Sequence, residues 1–301
     1  RHRQERREVH DRRSGGRARS LSVLERKRAG LSGKMRVALT YNLKKEIGEA
    51  EGLPEDFYAE CDDPETVEAV ADALKERHGD IVMVEADEDA FEKFRALRPD
   101  IVFNMAEGVW GDSRESQIPS ILEMLRIPYT GSNPLTLAMC LNKARAKEIL
   151  SYYGIPTARF IVARDASLEI EKFLSFPMIV KPSREDASIG ITNDSVVTNE
   201  KDLRSRIEYV LDEHKQPALV EEYIEGREIN VSVVGNDELI TFPISEIDFT
   251  GLPADYPKII SYNSKWMYKT VEFENTKAVC PAQNLTDKEV QVIQDTAKKV
   301  Y

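Results

Sequence analysis

Lys181 stands at the end of an apolar run, Phe176-Pro177-Met178-Ile179-Val180, and opens a polar loop from Ser183 to Ser188 that closes in Ile189-Gly190. The run has the length and residue types of a buried strand, and a second apolar pair, Val196-Val197, follows the loop. Small side chains let backbone N–H groups approach an anion, and the lysine adds a full positive charge, so the stretch suits phosphate binding. An ordinary hairpin whose lysine keeps its head in water explains the stretch, taken alone, equally well. Other residues with chemistry to offer are Lys143, the Val220-Glu221-Glu222-Tyr223-Ile224 segment with Glu228 shortly after, and Lys265 in a long irregular stretch. Each has a plain alternative: a helix-start lysine on a solvated face, an acidic strand end, an alternating strand residue, a loop lysine. Glu107 and Asp112 suit the ammonium of an amino substrate, and a solvated loop explains them equally well. Trp110 and Trp266 are read equally as packing residues.

Composition narrows the function class. The chain has 301 residues, enough for more than one domain, with 41% hydrophobic and 32% charged residues, as in a soluble globular protein. No apolar run approaches membrane-spanning length, so no membrane partner is expected. Three scattered cysteines without a CxxC pair suggest reduced thiols in the cytoplasm and argue against a disulfide frame or a zinc site. Of four histidines only His78 and His214 lie outside the first ten residues, which disfavours a histidine-based triad or metal centre. Residues 1–34 hold 12 Lys and Arg against 4 Asp and Glu, and the remainder holds 30 against 49. The acidic body disfavours nucleic acid as a partner. The basic stretch 1–34 reads as a disordered tail. A targeting peptide, an RNA-binding arm or sequence translated ahead of the true start would each explain it, and a strand opening at Met35 favours the last.

These residues need elements to position them. Strands are expected at 36–41, 80–84 and 100–104, with helices at 63–78 and 87–97 between them. Asp63-Pro64 is an N-cap followed by proline at the first helical position, and Val67, Val70, Ala71 and Leu74 give that helix one apolar face. The β-α-β-α-β order argues for a parallel, doubly wound α/β sheet, with Asn104–Asp112 at its ligand-bearing strand ends. A helix at 117–125 and a short strand and turn at 127–132 complete this part. A composition change at Asn133-Pro134 opens one helical region running to Tyr153. Beyond it come a strand at 157–162, a short helix at 168–174, the opening hairpin, an amphipathic helix at 199–214, and strands at 217–223, 228–234 and 238–247. The stretch 248–276 has no clear period, and unstructured segments of that length are usually functional lids or disordered. A helix begins at Thr286. The expected division is a tail (1–34), an N-terminal doubly wound domain (35–133), a small lobe (134–216) and a C-terminal lobe (217–301).

In this order the segments IPYTGS (127–132), LNKAR (141–145), GIPT (154–157), IVKPSREDAS (179–188), LVEEYIEGRE (219–228) and Cys280-Pro281-Ala282 resemble the ATP-grasp ligases, most closely the D-alanine–D-alanine ligase branch. The resemblance runs from about Met35 to the chain end. It implies an α+β domain of two lobes clasping ATP. Lys143 and Lys181 would bind the α/β-phosphates, and the Ser183–Gly190 loop, with Ser183 and Ser188, would close over them. Main chain around Glu221, Glu222 and Ile224 would hydrogen-bond adenine, and Glu228 would accept from the ribose. Lys265, on a mobile loop, and Ser188 would serve the transferred phosphate. The implied chemistry is attack of a carboxylate on the γ-phosphate, followed by displacement of phosphate by an amine to give an amide. A lid must shield the acyl phosphate from water. Small amino acids are the implied substrates, peptidoglycan precursor synthesis the setting, and a homodimer through the N-terminal domain the assembly.

Departures from the family pattern concern the substrate. Asp186-Ala187-Ser188 stands where Gly-Ser-Ser is usual, Trp266 replaces a tyrosine, Glu107-Gly108 replaces His-Gly, and Asn42-Leu43-Lys44-Lys45-Glu46 lacks the usual Gly-rich pattern. An ATP-grasp ligase for other amino acids, or a non-catalytic nucleotide-binding module, therefore remain alternatives. Nothing after Thr286 supplies the family's Asp and Glu-x-Asn for Mg²⁺, so metal ligands are expected beyond residue 301, and this chain is expected to be truncated, to bind nucleotide weakly and not to turn over.

Overall fold

The computed structural model describes residues 35–44 and 54–301. The basic stretch 1–34 and residues 45–53 of the early polar loop lie outside the described residues. The first sheet is built on β1 (Val37–Tyr41), whose first four residues are all buried. It is flanked in parallel by β2 (Ile81–Glu85) and β3 (Ile101–Asn104), with Ala38 opposite both Val82 and Val102. Alternate side chains leave opposite faces of a strand. Ala38 therefore joins Val84, Val102, Phe94 and Leu122 on one face, beneath α2 (Ala90–Leu97) and α3 (Gln117–Leu125). Leu39 joins Val67 and Ala71 of α1 (Pro64–His78) on the other. The segment expected as a short strand at 127–132 adds a single parallel bridge, Tyr129 to Val102.

The helical region from Pro134 is two helices, α4 (Pro134–Leu141) and α5 (Lys143–Tyr152). Asn142 separates them in extended conformation, ending the first and capping the second by accepting from the Arg145 amide at 3.2 Å. An Asn side chain competes well for such orphan amides, which is why the break falls there. The break places Lys143 at the start of a helix facing the loop, where its amide donates to the Ser183 carbonyl at 3.0 Å.

The second sheet is antiparallel, in the order β4 (Phe160–Ala163), β7 (Ala218–Glu222), β5 (Met178–Pro182), β6 (Val196–Val197). The expected hairpin is present, with Met178 opposite Val197. Met178, Val180, Ala218 and Val220 pack against Leu203, Ile207 and Val210 of α6 (Glu200–Glu213). By strand alternation Ile179 and Lys181 point to the other face. Glu221 is opposite Ile179 and next but one to Leu219, the partner of Lys181, so it shares that face.

Two expected strands are each divided. The 228–234 run is β8 (Glu228–Asn230) and β9 (Val233–Gly235), and the 238–247 run is β10 (Leu239–Thr241) and β11 (Ser245–Asp248). Pro243 has no N–H for a ladder, so pairing stops between Thr241 and Ser245 and both partners break together. β8 and β11 continue into a three-stranded sheet with β12 (Lys277–Val279). The stretch 248–276, expected to lack regular structure, contains α7 (Tyr262–Trp266) and α8 (Val271–Asn275). Their starts were legible as Ser261-x-x-Ser264, a reciprocal capping box, and Thr270, which accepts from the Phe273 amide at 3.2 Å. The last helix, α9 (Asp287–Val300), starts on a second capping box, Thr286 with Glu289. Among the described residues no helix is long and apolar enough to cross a membrane.

Candidate functional site

A cleft of about 480 Å³ lies between the second and third sheets, and Lys143, Lys181, Ser188, Glu228 and Lys265 all line it. Lys143 comes from the first turn of α5, Lys181 from the end of β5, Glu228 from the start of β8 and Lys265 from α7. Ile179, Ile191, Ile247 and Ile259 supply apolar wall beside these charges. Glu185 and Asp186 line the cleft too, so with Glu228 three carboxylates share it with the three lysines; the lysines suit the anionic part of a ligand and the wall a flat apolar part. A larger groove, about 1060 Å³, runs past Tyr129, Cys140, Val233 and Val300, but no charged side chain lines it. A third pocket, beside Trp110 and Asp112, measures about 170 Å³, too small for a nucleotide.

Two of the cleft lysines have partners within the chain. Lys143 Nζ donates to the Glu185 carbonyl, and burial lowers its pKa. Lys181 forms an ion pair with Glu221, whose other oxygen holds Lys147 at 2.5 Å. Burial pushes the Glu221 carboxyl up, but Lys181 and Lys147 outweigh it and hold the group below the usual carboxylate range. Burial raises the Glu228 pKa, against the opposing pull of Lys265 and Lys181.

The remaining predicted residues do not join the cleft lining. Ser183 is buried and its hydroxyl has no partner. Glu221 points at the lysines from behind them. Glu222 pairs with Arg159, and its amide donates to the Arg159 carbonyl at 3.1 Å, so this main-chain donor is taken by the sheet edge. Ile224 is 70% exposed. Asp112 bonds Arg184 at 2.7 Å beside the small pocket. Glu107 belongs to a group of carboxyls with Glu60, Glu115, Asp186 and Asp62; burial first and then these neighbours push its pKa up to about 8. Burial first, then Glu60 and Asp186, bring Glu115 to about 7 against the opposing pull of Arg114 and Lys143.

Two amides of the loop expected to hold phosphate donate to carboxylates of this chain. The Asp186 amide donates to Glu60 at 2.9 Å and the Gly190 amide to Asp56 at 2.6 Å. Arg114 is nearly buried and ties Glu60 (2.7 Å), Glu185 (2.9 Å) and the Arg184 carbonyl (3.2 Å) together. From the other side, Trp266 Nε1 donates to the Ala187 carbonyl and Ser188 Oγ to the Ile260 carbonyl, each at 2.9 Å. The loop is thus held between the first sheet's unit and the 259–266 segment. Gly190 has φ +69°, and a Cβ there would stand 2.6 Å from Pro182 Cγ and 2.7 Å from His214 Nε2. Arg114, Glu60 and Asp56 carried no sequence signal. Lys147 did, because it follows Lys143 by four residues and so lies on the same side of one helix.

Residues 148–301 match the family model described as D-ala D-ala ligase C-terminus. The chain belongs to the D-alanine–D-alanine ligase family. It is 33% identical over 192 residues to a D-alanine–D-alanine ligase of Pelotomaculum thermopropionicum, covering 60% of this chain and 58% of that protein. It is 35% identical over 189 residues to an uncharacterized protein of Sinorhizobium fredii, covering 60% and 55%. The chain thus spans little more than half the length of these curated relatives. Among solved structures, a D-alanine–D-alanine ligase from Bacillus anthracis complexed with ATP superposes with a TM-score of 0.62 at 22% identity, covering 89% of this chain and 77% of that one. The VanG D-Ala:D-Ser ligase of Enterococcus faecalis superposes with a TM-score of 0.62 at 22% identity, covering 89% and 82%. The mixed α/β fold is therefore that of the family's ligases, and of the named cleft residues all but Lys143 fall within the matched part of the chain.

Proposed function

We propose that the cleft binds ATP and that the chain is the nucleotide-binding part of a carboxylate–amine ligase working through an acyl phosphate. The observation that supports this reading is the convergence of Lys143, Lys181, Ser188, Glu228 and Lys265, separated in sequence, on one cleft with an apolar wall. Lys143 and Lys181 would hold the α/β-phosphates, Lys265 the γ-phosphate, Glu228 the ribose and Ile224 main chain the adenine. Ser183 and Ser188 support the loop above the phosphates. The three lysines would offset negative charge in the transferred phosphoryl group, the chief protein contribution to such a step. In the same reading residues 35–133 form a doubly wound domain, 134–216 the small lobe and 217–301 the C-terminal lobe. The setting would be peptidoglycan precursor synthesis in the cytoplasm, and the assembly a homodimer.

The family implies magnesium; among the described residues no group of three or more His, Cys, Asp or Glu side chains could hold a metal ion. No step is assigned to it here.

A second reading, ligation of amino acids other than D-alanine, is favoured by the contact between Trp266 and Ala187. Indole N–H to backbone carbonyl holds the 259–266 segment without a side-chain hydroxyl at either residue. Glu107 and Asp112 would then help to select the amino substrate. ATP-dependent phosphate release by the full-length protein that carries this chain, with D-alanine and with a panel of other amino acids, tests these readings. Release with D-alanine alone supports the first, and release only with another amino acid supports the second. ATP binding without release in any mixture leaves a nucleotide-binding module.

A further inference from the structure

Lys147 is the most buried ammonium near the cleft, yet it does not line it. Its side chain is 11% exposed; Nζ reaches Glu221 Oε1 and Thr157 Oγ1, each at 2.5 Å, and lies 5.2 Å from the centroid of the Phe160 ring. The second oxygen of Glu221 holds Lys181 Nζ, which does face the cleft. Glu221 itself is 6% exposed. One buried carboxylate is thus shared by two ammoniums, and the set carries a net charge of +1.

That sharing decides what Lys181 can offer a ligand. Without Lys147, the single carboxylate would face a single ammonium in a poorly hydrated place. Such a pair is neutral and tightly held, so the field of Lys181 on an incoming phosphate would be largely cancelled. With Lys147 present, one positive charge is left over, and the only member of the set that lines the cleft is Lys181. We infer that Lys147 is a positioning residue that, acting through Glu221, keeps the charge of Lys181 available to a phosphate-bearing ligand. This rests on the nucleotide reading above. A brace linking α5 to β4 and β7 is what the same contacts would mean otherwise; a brace affects stability but has no reason to depend on Lys181.

ATP affinity of the full chain, by calorimetry, separates the two in a cycle of wild type, Lys147→Met, Lys181→Met and the double variant. Lys147→Met is expected to weaken ATP binding roughly ten-fold, the scale of one charge-assisted contact, and to cause no further loss once Lys181 is methionine. Unchanged affinity in the first variant, or the same loss in both backgrounds, overturns the inference while the nucleotide reading stands. A wild-type chain that binds no ATP overturns both. Should Lys147→Met not fold, Lys147→Gln retains a donor toward Glu221 without the charge and is expected to show the same ten-fold loss. If neither folds, Lys147 is a brace and the inference is wrong.

Discussion

Replacing Glu107 with glutamine should stabilise the protein at alkaline pH and leave it almost unchanged in acid. Glu107 is half-buried, and burial, together with Glu60, Glu115, Asp186 and Asp62, brings its pKa from 4.5 to about 8. Between these values the folded state keeps a proton that the unfolded chain has released. A carboxyl raised in this way contributes stability that is complete below the unfolded pKa and is lost as pH rises through the folded one. The interval, at ~1.4 kcal/mol per unit, sets a ceiling of about 5 kcal/mol. Partial solvation and mutual relaxation of the carboxyls bring the expected loss to about 1–3 kcal/mol. Glu107→Gln removes the titration but keeps the shape. Urea unfolding of both proteins at pH 5 and pH 9 reads the effect directly. The variant's advantage should grow by about 1–3 kcal/mol between the two. An advantage that does not change with pH, or a variant less stable than wild type at pH 9, would refute the claim that Glu107 sits uncompensated among carboxylates.

Other consequences concern the loop from Ser183 to Gly190. Arg114→Met strips Glu60 and Glu185 of their shared guanidinium, leaving the buried Glu60 and the half-buried Glu185 carboxylates without their cation. Breaking a buried pair of this kind costs about 3–5 kcal/mol, to be seen as a lowered midpoint in urea. Gly190→Ala forces a left-handed alanine whose Cβ meets Pro182 and His214 below 3 Å. It should destabilise the chain by about 1–3 kcal/mol and weaken ATP binding, read by thermal melting and calorimetry on the same sample.

Much of the fold follows from local pattern. The order of strands and helices from Val37 to Leu125 rests on apolar periodicity, and a first-turn proline at Pro64, where Asp63 makes no side-chain cap, and the cap of Thr286 mark helix starts because such signals are local. Lys143 and Lys181 stood out because each borders a recognisable segment, whereas Lys265, in a stretch without a period, was named only through the family resemblance. What stayed hidden depends on distance along the chain. Glu60 accepts from the amide of Asp186, 126 residues away, and nothing near either residue announces the contact. The loop amides were read as phosphate-binding groups; the acceptors that two of them meet in the structure, Glu60 and Asp56, are the chain's own carboxylates and were not foreseen. The role of Glu221 was sought in its main chain, whereas strand alternation directs its side chain at Lys181. The division of the last strands at Pro243 was open to inspection, since a proline cannot serve in the middle of a ladder. The two helices in 248–276 were missed because neither is long enough to show a period, although Ser261 and Thr270 cap them.

The claim on which the rest depends is that ATP occupies the cleft bounded by Lys143, Lys181, Glu228 and Lys265. Photolabelling the full chain with an azido-ATP and mapping the modified peptides tests it most directly. Label is expected on peptides containing residues 179–191, 223–230 or 259–265, suppressed by excess ATP and reduced in Lys181→Met. Label confined to the uncharged groove beside Tyr129 and Cys140, or labelling that excess ATP does not suppress, would contradict it.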